Sequence, residues 1–217
     1  MTSELVPLGE HAWLARFADE SHAAGWAEAV RHLDLPGVTD VVLAYRTAAV
    51  YASPDRADFD AIEARLRAVR YEPVLARTGL LHRVPVLYDG EDLQYVAERL
   101  QTHAEAIVAS HANREYRVFA IGFLPGFPYA GYLGDDLAGL ARRQSPRARV
   151  PAGAVAIVGR QTGIYPQDSP GGWHLIGRTP LRIVDVERGY FPIRAGDRLL
   201  FEPIESAEFE ARRGEHL

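Results

Sequence analysis

The sequence RRQSPRARVPAGAVAIVGRQTGIYPQDSPGGWHLIGRTPLR, residues 142–182, carries the strongest structural pattern in this chain of 217 residues. It contains seven arginines and one acidic residue, Asp168, whereas the whole chain has a formal charge of −5. Six glycines and five prolines interrupt the same stretch, and such residues build tight turns and let a backbone approach a ligand closely. The stretch therefore predicts a rigid, basic site that is built from loops and faces an anion.

The composition excludes several classes of site. Cysteine is absent, which removes disulfides, thiolate nucleophiles and cysteine–zinc centres. Lysine is absent as well, so the chain has neither a Walker-A lysine nor a lysine for a Schiff base. The eight histidines are scattered without an H-E-x-x-H pattern, so we expect no metal site. The acidic overall charge, with arginines spread among turns, argues against a nucleic-acid partner.

The sequence indicates no targeting or membrane-spanning segment. The N-terminus lacks the basic and apolar regions of a signal peptide. No apolar run approaches the roughly 18 residues that a transmembrane helix needs. We therefore expect a soluble, cytoplasmic protein without a membrane partner.

The first part of the chain alternates strand and helix patterns. In chain order it predicts strand, helix, strand, strand, helix and strand over residues 12–17, 21–33, 38–45, 47–52, 59–69 and 80–88. Asp58 is placed to cap the second helix. This β-α-β-β-α-β order is typical of a ferredoxin-like split-βαβ domain, which we assign to residues 1–84.

The second part changes from helices to short strands. Two helices over residues 92–100 and 102–113 come first, and His111 ends the apolar stripe of the second, where a core role is favoured over catalysis. From residue 116 onward, short strands separated by Gly/Pro turns predict a β-barrel or sandwich. The whole pattern predicts an α+β protein with its second domain over residues 85–217.

Several side chains are candidates for a ligand site. Arg147 and Arg149 can bind a carboxylate or phosphate bidentately, or form a solvated basic rim. The aromatic loop that includes Tyr129 can wall a cleft or plug one end of the barrel. Ser169 lacks the G-x-S-x-G context of a serine nucleophile, so it fits a turn residue or a hydrogen-bond donor to a ligand. Further polar groups among the glycines complete the candidate set: Gln161, Tyr165 and His174.

Three strings resemble the family of 5-oxoprolinase B subunits, whose members include the proteins called PxpB, KipI and allophanate hydrolase subunit 1. They are EYRVFAIGFLPGFPYAGYLG (residues 115–134), SPRARVPAGAVAIVGRQTGIYPQDSPGGWHLIGRTPL (residues 145–181) and AGDRLLFEPI (residues 195–204). The resemblance is dense over the second half and extends to PLGEHAWLARFAD at residues 7–19. It implies a small N-terminal α/β domain followed by a C-terminal cyclophilin-like β-barrel.

The resemblance also implies a function. Family members act in an ATP-dependent 5-oxoprolinase, which opens 5-oxo-L-proline to L-glutamate. The implied partners are a larger C subunit of related barrel fold and an A subunit of the LamB/YcsF type, and the implied cofactor is ATP, bound mainly with the partner subunit. Phosphorylation of the unactivated lactam would require cationic donors for the phosphoryl group and for the substrate carboxylate. No residue is an evident general base, so the catalytic residues stay unassigned and we expect a composite site.

Two alternative functions stay open at the level of sequence. One branch of the family inhibits autophosphorylation of a histidine kinase, and such an inhibitor needs an exposed apolar patch. The other alternative is a carboxyltransferase-type module of a urea carboxylase or allophanate hydrolase system, which needs a biotinylated partner. All three functions use the same fold, so the fold alone does not separate them. If the chain is part of an enzyme, we expect Arg147→Ala to lose activity with little loss of folding.

Overall fold

A computed structural model of the protein describes residues 4–74 and 79–217. The chain divides into two compact units, residues 1–77 and residues 78–217. The division lies a few residues before the 84/85 boundary that the sequence predicts. Residues on both sides of that boundary belong to one strand, Leu81–Val86, which pairs with Arg198–Pro203 inside the second unit.

The first unit is a four-stranded antiparallel sheet with two helices. Its elements in chain order are β1 (Glu4–Pro7), β2 (Ala12–Arg16), α1 (Glu20–His32), β3 (Val38–Ala44), β4 (Thr47–Ala52) and α2 (Phe59–Ala68). The strands follow the order β1-β2-β4-β3. Side chains from one face of the sheet, among them Trp13 and Val50, form a buried core with Trp26 of α1 and Leu66 of α2. As predicted, the Asp58 carboxylate caps α2 by accepting a hydrogen bond of 3.0 Å from the Ala61 amide.

The first unit is ferredoxin-like, but its fourth strand differs from the prediction. The sequence predicts that residues 80–88 supply this strand, whereas Leu81–Val86 belongs to the sheet of the second unit. The vacant edge beside β2 is occupied by β1, which pairs with β2 from Glu4↔Arg16 to Pro7↔Trp13. The sequence pattern does not predict β1 because it is only four residues long and ends in a proline, a residue usually confined to sheet edges.

The second unit is a barrel with helices at its start and end. Its elements are β5 (Leu81–Val86), α3 (Leu93–Arg99), α4 (Ala104–Ala112), β6 (Glu115–Ile121), β7 (Pro128–Gly131), β8 (Arg147–Val150), β9 (Ala154–Val158), β10 (Gln161–Ile164), β11 (Ser169–Gly171), β12 (His174–Arg178), β13 (Arg198–Pro203) and α5 (Ser206–Ala211). Seven strands form one sheet in the order β12-β9-β10-β7-β6-β13-β5, and β8 pairs separately with β11. Two backbone hydrogen bonds of 2.9 Å between Leu87 and Arg178 join the two ends of the large sheet. The predicted barrel is therefore confirmed. No helix in the described ranges is long and apolar enough to cross a bilayer.

His111 is a polar group at the centre of the barrel core. It is fully buried, and its Nδ1 and Nε2 atoms lie 2.7 Å from Tyr88 Oη and 2.8 Å from Thr162 Oγ1. Thr162 donates its own hydroxyl proton to the Ala156 carbonyl, so it accepts from His111 Nε2–H, and Nδ1 accepts from Tyr88. Burial, together with a smaller contribution from the positive charge of Arg114, lowers the pKa of His111 to about 3. The predicted core role of His111 is confirmed.

The neutral state of His111 predicts a pH dependence of stability. Below pH ~6.5 the unfolded chain protonates this imidazole while the folded protein does not, so the free energy of unfolding falls as pH drops towards 3. Between pH 7 and pH 5 this residue should account for about 2 kcal/mol, and His111→Gln should remove that part of the slope. The free energy of unfolding is measured in urea titrations at both pH values, with hydrogen exchange of the β6 and β13 amides as the readout. The exposed His32→Gln is the matched control, and an unchanged slope in His111→Gln would contradict the prediction.

Candidate functional site

The barrel unit carries a cleft of about 240 Å³ that the aromatic loop and the basic stretch line together. We call it the aromatic cleft. Its aromatic wall consists of Phe123, Phe127, Tyr129, Tyr165 and Trp173. The remaining lining is one cation, Arg142, with Pro146, Pro170, Gly171 and Gly172. A small concave site of this kind, apolar with a few polar groups, is typical of small-molecule binding.

Phe127 organises the aromatic wall. Its ring is buried and makes edge-to-face contacts with four other rings, at centroid distances of 5.7 Å to Phe123, 4.9 Å to Tyr129, 5.2 Å to Tyr165 and 5.3 Å to Trp173. Such contacts are favourable beyond the area they bury, because the ring edge is positive and the ring face is negative. The wall is therefore held in one geometry by its own rings.

Two glycines allow the cleft to form. Gly126 has a φ of +79°, and a methyl group at this position would collide with Val184, so only glycine lets the aromatic loop turn back onto the barrel. Gly171 lies against the Tyr165 hydroxyl so closely that a side chain could not fit between them.

Phe123, on the aromatic loop, has a φ of +66° although it is not glycine, and its side chain is 60% exposed at the cleft mouth. A strained and exposed aromatic residue of this kind is typical of a functional surface.

The polar groups of the cleft are two phenols and one guanidinium. Burial raises the pKa of Tyr129 and of Tyr165. The positive charge of Arg142 opposes the shift in Tyr129, and a backbone hydrogen bond from Trp173 together with the charge of Arg142 opposes it in Tyr165. Both phenols therefore stay protonated at neutral pH and are hydrogen-bond donors. Arg142 is exposed, and among residues 4–74 and 79–217 its side chain has no ion-pair or hydrogen-bond partner. The cleft thus presents one available positive charge beside two hydroxyl donors.

The neighbouring arginines are neutralised, and Asp92 is the main reason. Its carboxylate is 5% exposed, and Oδ1 accepts hydrogen bonds from Arg143 Nη1 at 2.9 Å and from Arg147 Nη2 at 2.7 Å. Its Oδ2 accepts the Leu175 amide at 2.7 Å. Glu91 binds the Nε of Arg147 at 2.5 Å. A buried carboxylate with this many charged donors is stable only as a complete cluster.

Residues 141–147, which we call the arginine loop, are joined to the strand that forms the opposite side of the cleft. The Arg143 amide donates to the Gly172 carbonyl at 2.9 Å. His174 Nε2 donates to the Ala141 carbonyl, also at 2.9 Å, and its ring stacks on Tyr95. The residues before and after Arg142 are therefore both fixed, and this places Arg142 at the cleft.

The structure brings some of the predicted site residues together and separates others. Tyr129 and Tyr165 line the aromatic cleft. Ser169 and His174 are buried beside lining residues, and Ser169 Oγ and His174 Nδ1 have no hydrogen-bond partner within the described parts of the chain. Gln161 lies on β10 opposite Gly131 of β7, away from the lining. Arg147 lies behind the cleft in its ion pairs rather than on the lining.

The sequence did not single out Arg142, Trp173 or Asp92. All three lie in or near segments that the sequence marked as basic, glycine-rich or helical, but nothing local tells a paired arginine from an unpaired one. The distinction depends on Asp92, which lies about fifty residues before the arginines that it binds. Only the folded barrel brings these positions together.

A larger groove of about 730 Å³ also lies on the barrel unit. Two of its three arginines hold α5: Arg178 lies 4.4 Å from the Phe209 ring centroid and binds Asp89, and Arg213 lies 5.1 Å from the same ring and binds Glu210. The third arginine, Arg182, is exposed, but the lining also carries three carboxylates, those of Asp168, Asp185 and Glu187, so the smaller aromatic cleft is the better candidate site for an anion. Among the described residues, no cluster of three or more His, Asp or Glu side chains is arranged to hold a metal ion.

Comparison with known proteins gives consistent matches along the chain. Residues 3–191 match the family model described as carboxyltransferase domain, subdomain C and D. The 5-oxoprolinase B subunit of Bacillus subtilis (strain 168) is 33% identical over 238 residues, which cover 98% of this chain and 97% of that relative. The 5-oxoprolinase B subunit of Escherichia coli O157:H7 is 38% identical over 183 residues, which cover 82% of this chain and 84% of that relative.

Solved structures give the same result for the fold. The crystal structure of TTHA0988 superposes with a TM-score of 0.76 at 39% identity and covers 90% of this chain, which spans 40% of that longer chain. The Kluyveromyces lactis urea amidolyase superposes with a TM-score of 0.75 at 15% identity, covering 95% of this chain and 15% of that enzyme. At this low identity the second similarity shows a shared fold and nothing more.

The ion cluster changes the expectation for Arg147→Ala. Removing this guanidinium leaves Glu91 without its partner and Asp92 with one arginine fewer in a buried position, which should lower the free energy of unfolding by about 2–4 kcal/mol. Arg149→Ala is the matched control, because its ion pair with Asp168 is solvent-exposed and should contribute little to stability. Chemical denaturation of both variants measures the difference, and equal stabilities would refute the structural role of Arg147.

Proposed function

Because this chain belongs to the family of 5-oxoprolinase B subunits, we propose that it is the B subunit of an ATP-dependent 5-oxoprolinase and that its aromatic cleft is part of the active site. The observation that carries the proposal is the origin of the cleft lining. Phe123, Phe127 and Tyr129 come from one of the strings that resemble the family, and Tyr165 and Trp173 come from another. The part of the sequence most like the family is thus the part that forms the cleft.

The chemistry of the cleft suits 5-oxo-L-proline, a small flat lactam with one carboxylate. The aromatic wall offers apolar surface for the ring. Arg142 offers an unpaired guanidinium for the carboxylate, and a charge-assisted hydrogen bond of this kind contributes about 1.5–3 kcal/mol. The hydroxyls of Tyr129 and Tyr165, protonated at neutral pH, can donate to the lactam carbonyl oxygen. This set would orient the ring and polarise its carbonyl group.

The cleft does not suit ATP. Its volume of about 240 Å³ is below the roughly 300–1,000 Å³ of sites that enclose larger ligands, and its one unpaired arginine is a weak match for a polyphosphate. We therefore propose that ATP binds mainly with the partner subunit. Because the proposed 5-oxoprolinase reaction depends on ATP, we also propose that it takes place in the cytoplasm.

The lining also lacks a general base. Among the described residues that line the cleft there is no carboxylate and no imidazole, and burial keeps both tyrosines protonated. Asp92 and Glu91, which contact the arginine loop, are already bound by arginines. The proposed site is therefore composite: a partner like the family's C subunit and a LamB/YcsF-type partner would supply the base and the remaining groups.

Reconstitution tests the proposal. The chain combined with its barrel-fold partner and its LamB/YcsF-type partner should hydrolyse ATP in response to 5-oxo-L-proline, and the chain alone should not. Arg142→Ala should lower kcat/KM for 5-oxo-L-proline by about 10- to 100-fold, as expected for the loss of one charge-assisted bond. The matched control is Arg149→Ala, which removes an arginine from the same basic stretch but outside the lining.

Three results would count against the proposal. Robust 5-oxo-L-proline-dependent ATP hydrolysis by the chain alone would contradict the composite site. Equal activity of Arg142→Ala and Arg149→Ala in an active complex would contradict the assignment of the aromatic cleft. Failure of the complete complex to turn over 5-oxo-L-proline would contradict the function itself.

A further inference from the structure

We propose that Asp92 is a positioning residue that sets the charge selectivity of the aromatic cleft. This inference rests on the proposed function in one respect, because it takes the ligand of the cleft to be an anion. It explains why the cleft, although a strongly basic stretch lines part of it, would bind an anion with one negative charge more tightly than an anion with two.

The charges on the arginine loop determine which anions the cleft favours. Three arginines, Arg142, Arg143 and Arg147, lie on the arginine loop, and three guanidinium groups would favour a multiply charged ligand. Asp92 binds two of them, at 2.9 and 2.7 Å, and Glu91 binds Arg147 a second time. Because Asp92 and Arg147 are 5% and 14% exposed, solvent screens these ion pairs only weakly. One unpaired guanidinium, that of Arg142, is left for the ligand.

Asp92 also fixes the position of the segments that line the cleft. The Asp92 amide donates to the Leu175 carbonyl at 3.0 Å, and its carboxylate accepts the Leu175 amide at 2.7 Å. The same carboxylate therefore holds β12, just after Trp173, and the arginine loop. Since Trp173 and Arg142 both line the cleft, Asp92 fixes the distance between the aromatic wall and the available charge.

The charge of Asp92 and its position together predict how a substitution would change the ligand preference of the cleft. If the carboxylate were replaced by a neutral amide of the same shape, one negative charge would be lost: Arg143 would have no ion-pair partner in the cluster, and Arg147 would keep only Glu91. A ligand with two negative charges would gain more from this change than a ligand with one. If the role of Asp92 were only structural, its replacement would weaken the binding of every ligand by a similar factor and leave the preference unchanged.

The test measures binding to the full chain by isothermal titration calorimetry. The probes are 5-oxo-L-proline, with one carboxylate, and succinate, with two. The wild-type chain should bind 5-oxo-L-proline more tightly. In Asp92→Asn the ratio of the two dissociation constants should shift about 10-fold towards succinate, and the shift should shrink as salt is added. Asp168→Asn, which removes the acid from the exposed pair with Arg149, is the matched control and should leave the ratio unchanged.

A second variant covers the case in which Asp92→Asn does not fold. Glu91 is 62% exposed and contacts only the Arg147 end of the cluster, so Glu91→Gln should shift the ratio in the same direction by about 3-fold. An unchanged ratio in both variants, or no binding of either anion to the wild-type chain, overturns the proposal. Turnover by the reconstituted complex is a separate readout, so a complex that is active while the ratio stays fixed would refute this inference and leave the proposed function intact.

Discussion

A buried carboxylate needs charged or hydrogen-bonding partners on each of its oxygens, and this constraint at Asp92 determines the geometry of the candidate site. Its partners come from two distant parts of the barrel unit: Arg143 and Arg147 on the arginine loop, and the Leu175 amide on β12. No short segment could supply both. The loop and the strand must therefore lie side by side, and the space between them and the aromatic loop is the cleft.

The barrel makes this arrangement rigid. Leu87 and Arg178 close the large sheet directly before the segment that carries Asp92, so that segment starts from a fixed point. On the other side, Gly126 turns the aromatic loop back onto Val184, and Phe127 holds the surrounding rings by edge-to-face contacts. Pre-organisation of this kind reduces the conformational entropy that ligand binding would otherwise cost. Within the basic stretch, Gly163, Gly171 and Gly177 likewise allow close packing, because a Cβ at each of them would collide with a neighbouring strand or ring.

The sequence was informative where the determining interaction is local and uninformative where it is distant. The Asp58 cap, the core position of His111 and the barrel strands follow from patterns within a few residues. The fourth strand of the first unit did not follow, because residues 80–88 have strand character whichever sheet they join. Arg147 and Arg142 are equally basic in sequence. Their difference, one held by Asp92 and the other facing Tyr129 and Tyr165, depends on a contact across about fifty residues.

The same constraint gives a physical reason for the proposed composite site, in which a second protein would complete the cleft. Asp92 and Glu91 cannot act as a base without breaking the ion pairs that hold the arginine loop, and a tyrosine whose pKa is raised by burial is a donor at neutral pH. A base added to the lining would pair with Arg142 and remove the one charge left for a ligand. A group on a second protein avoids this conflict, since it can approach the ligand from the open side of the cleft. Phe123, exposed at that mouth, gives such a protein an apolar surface to contact.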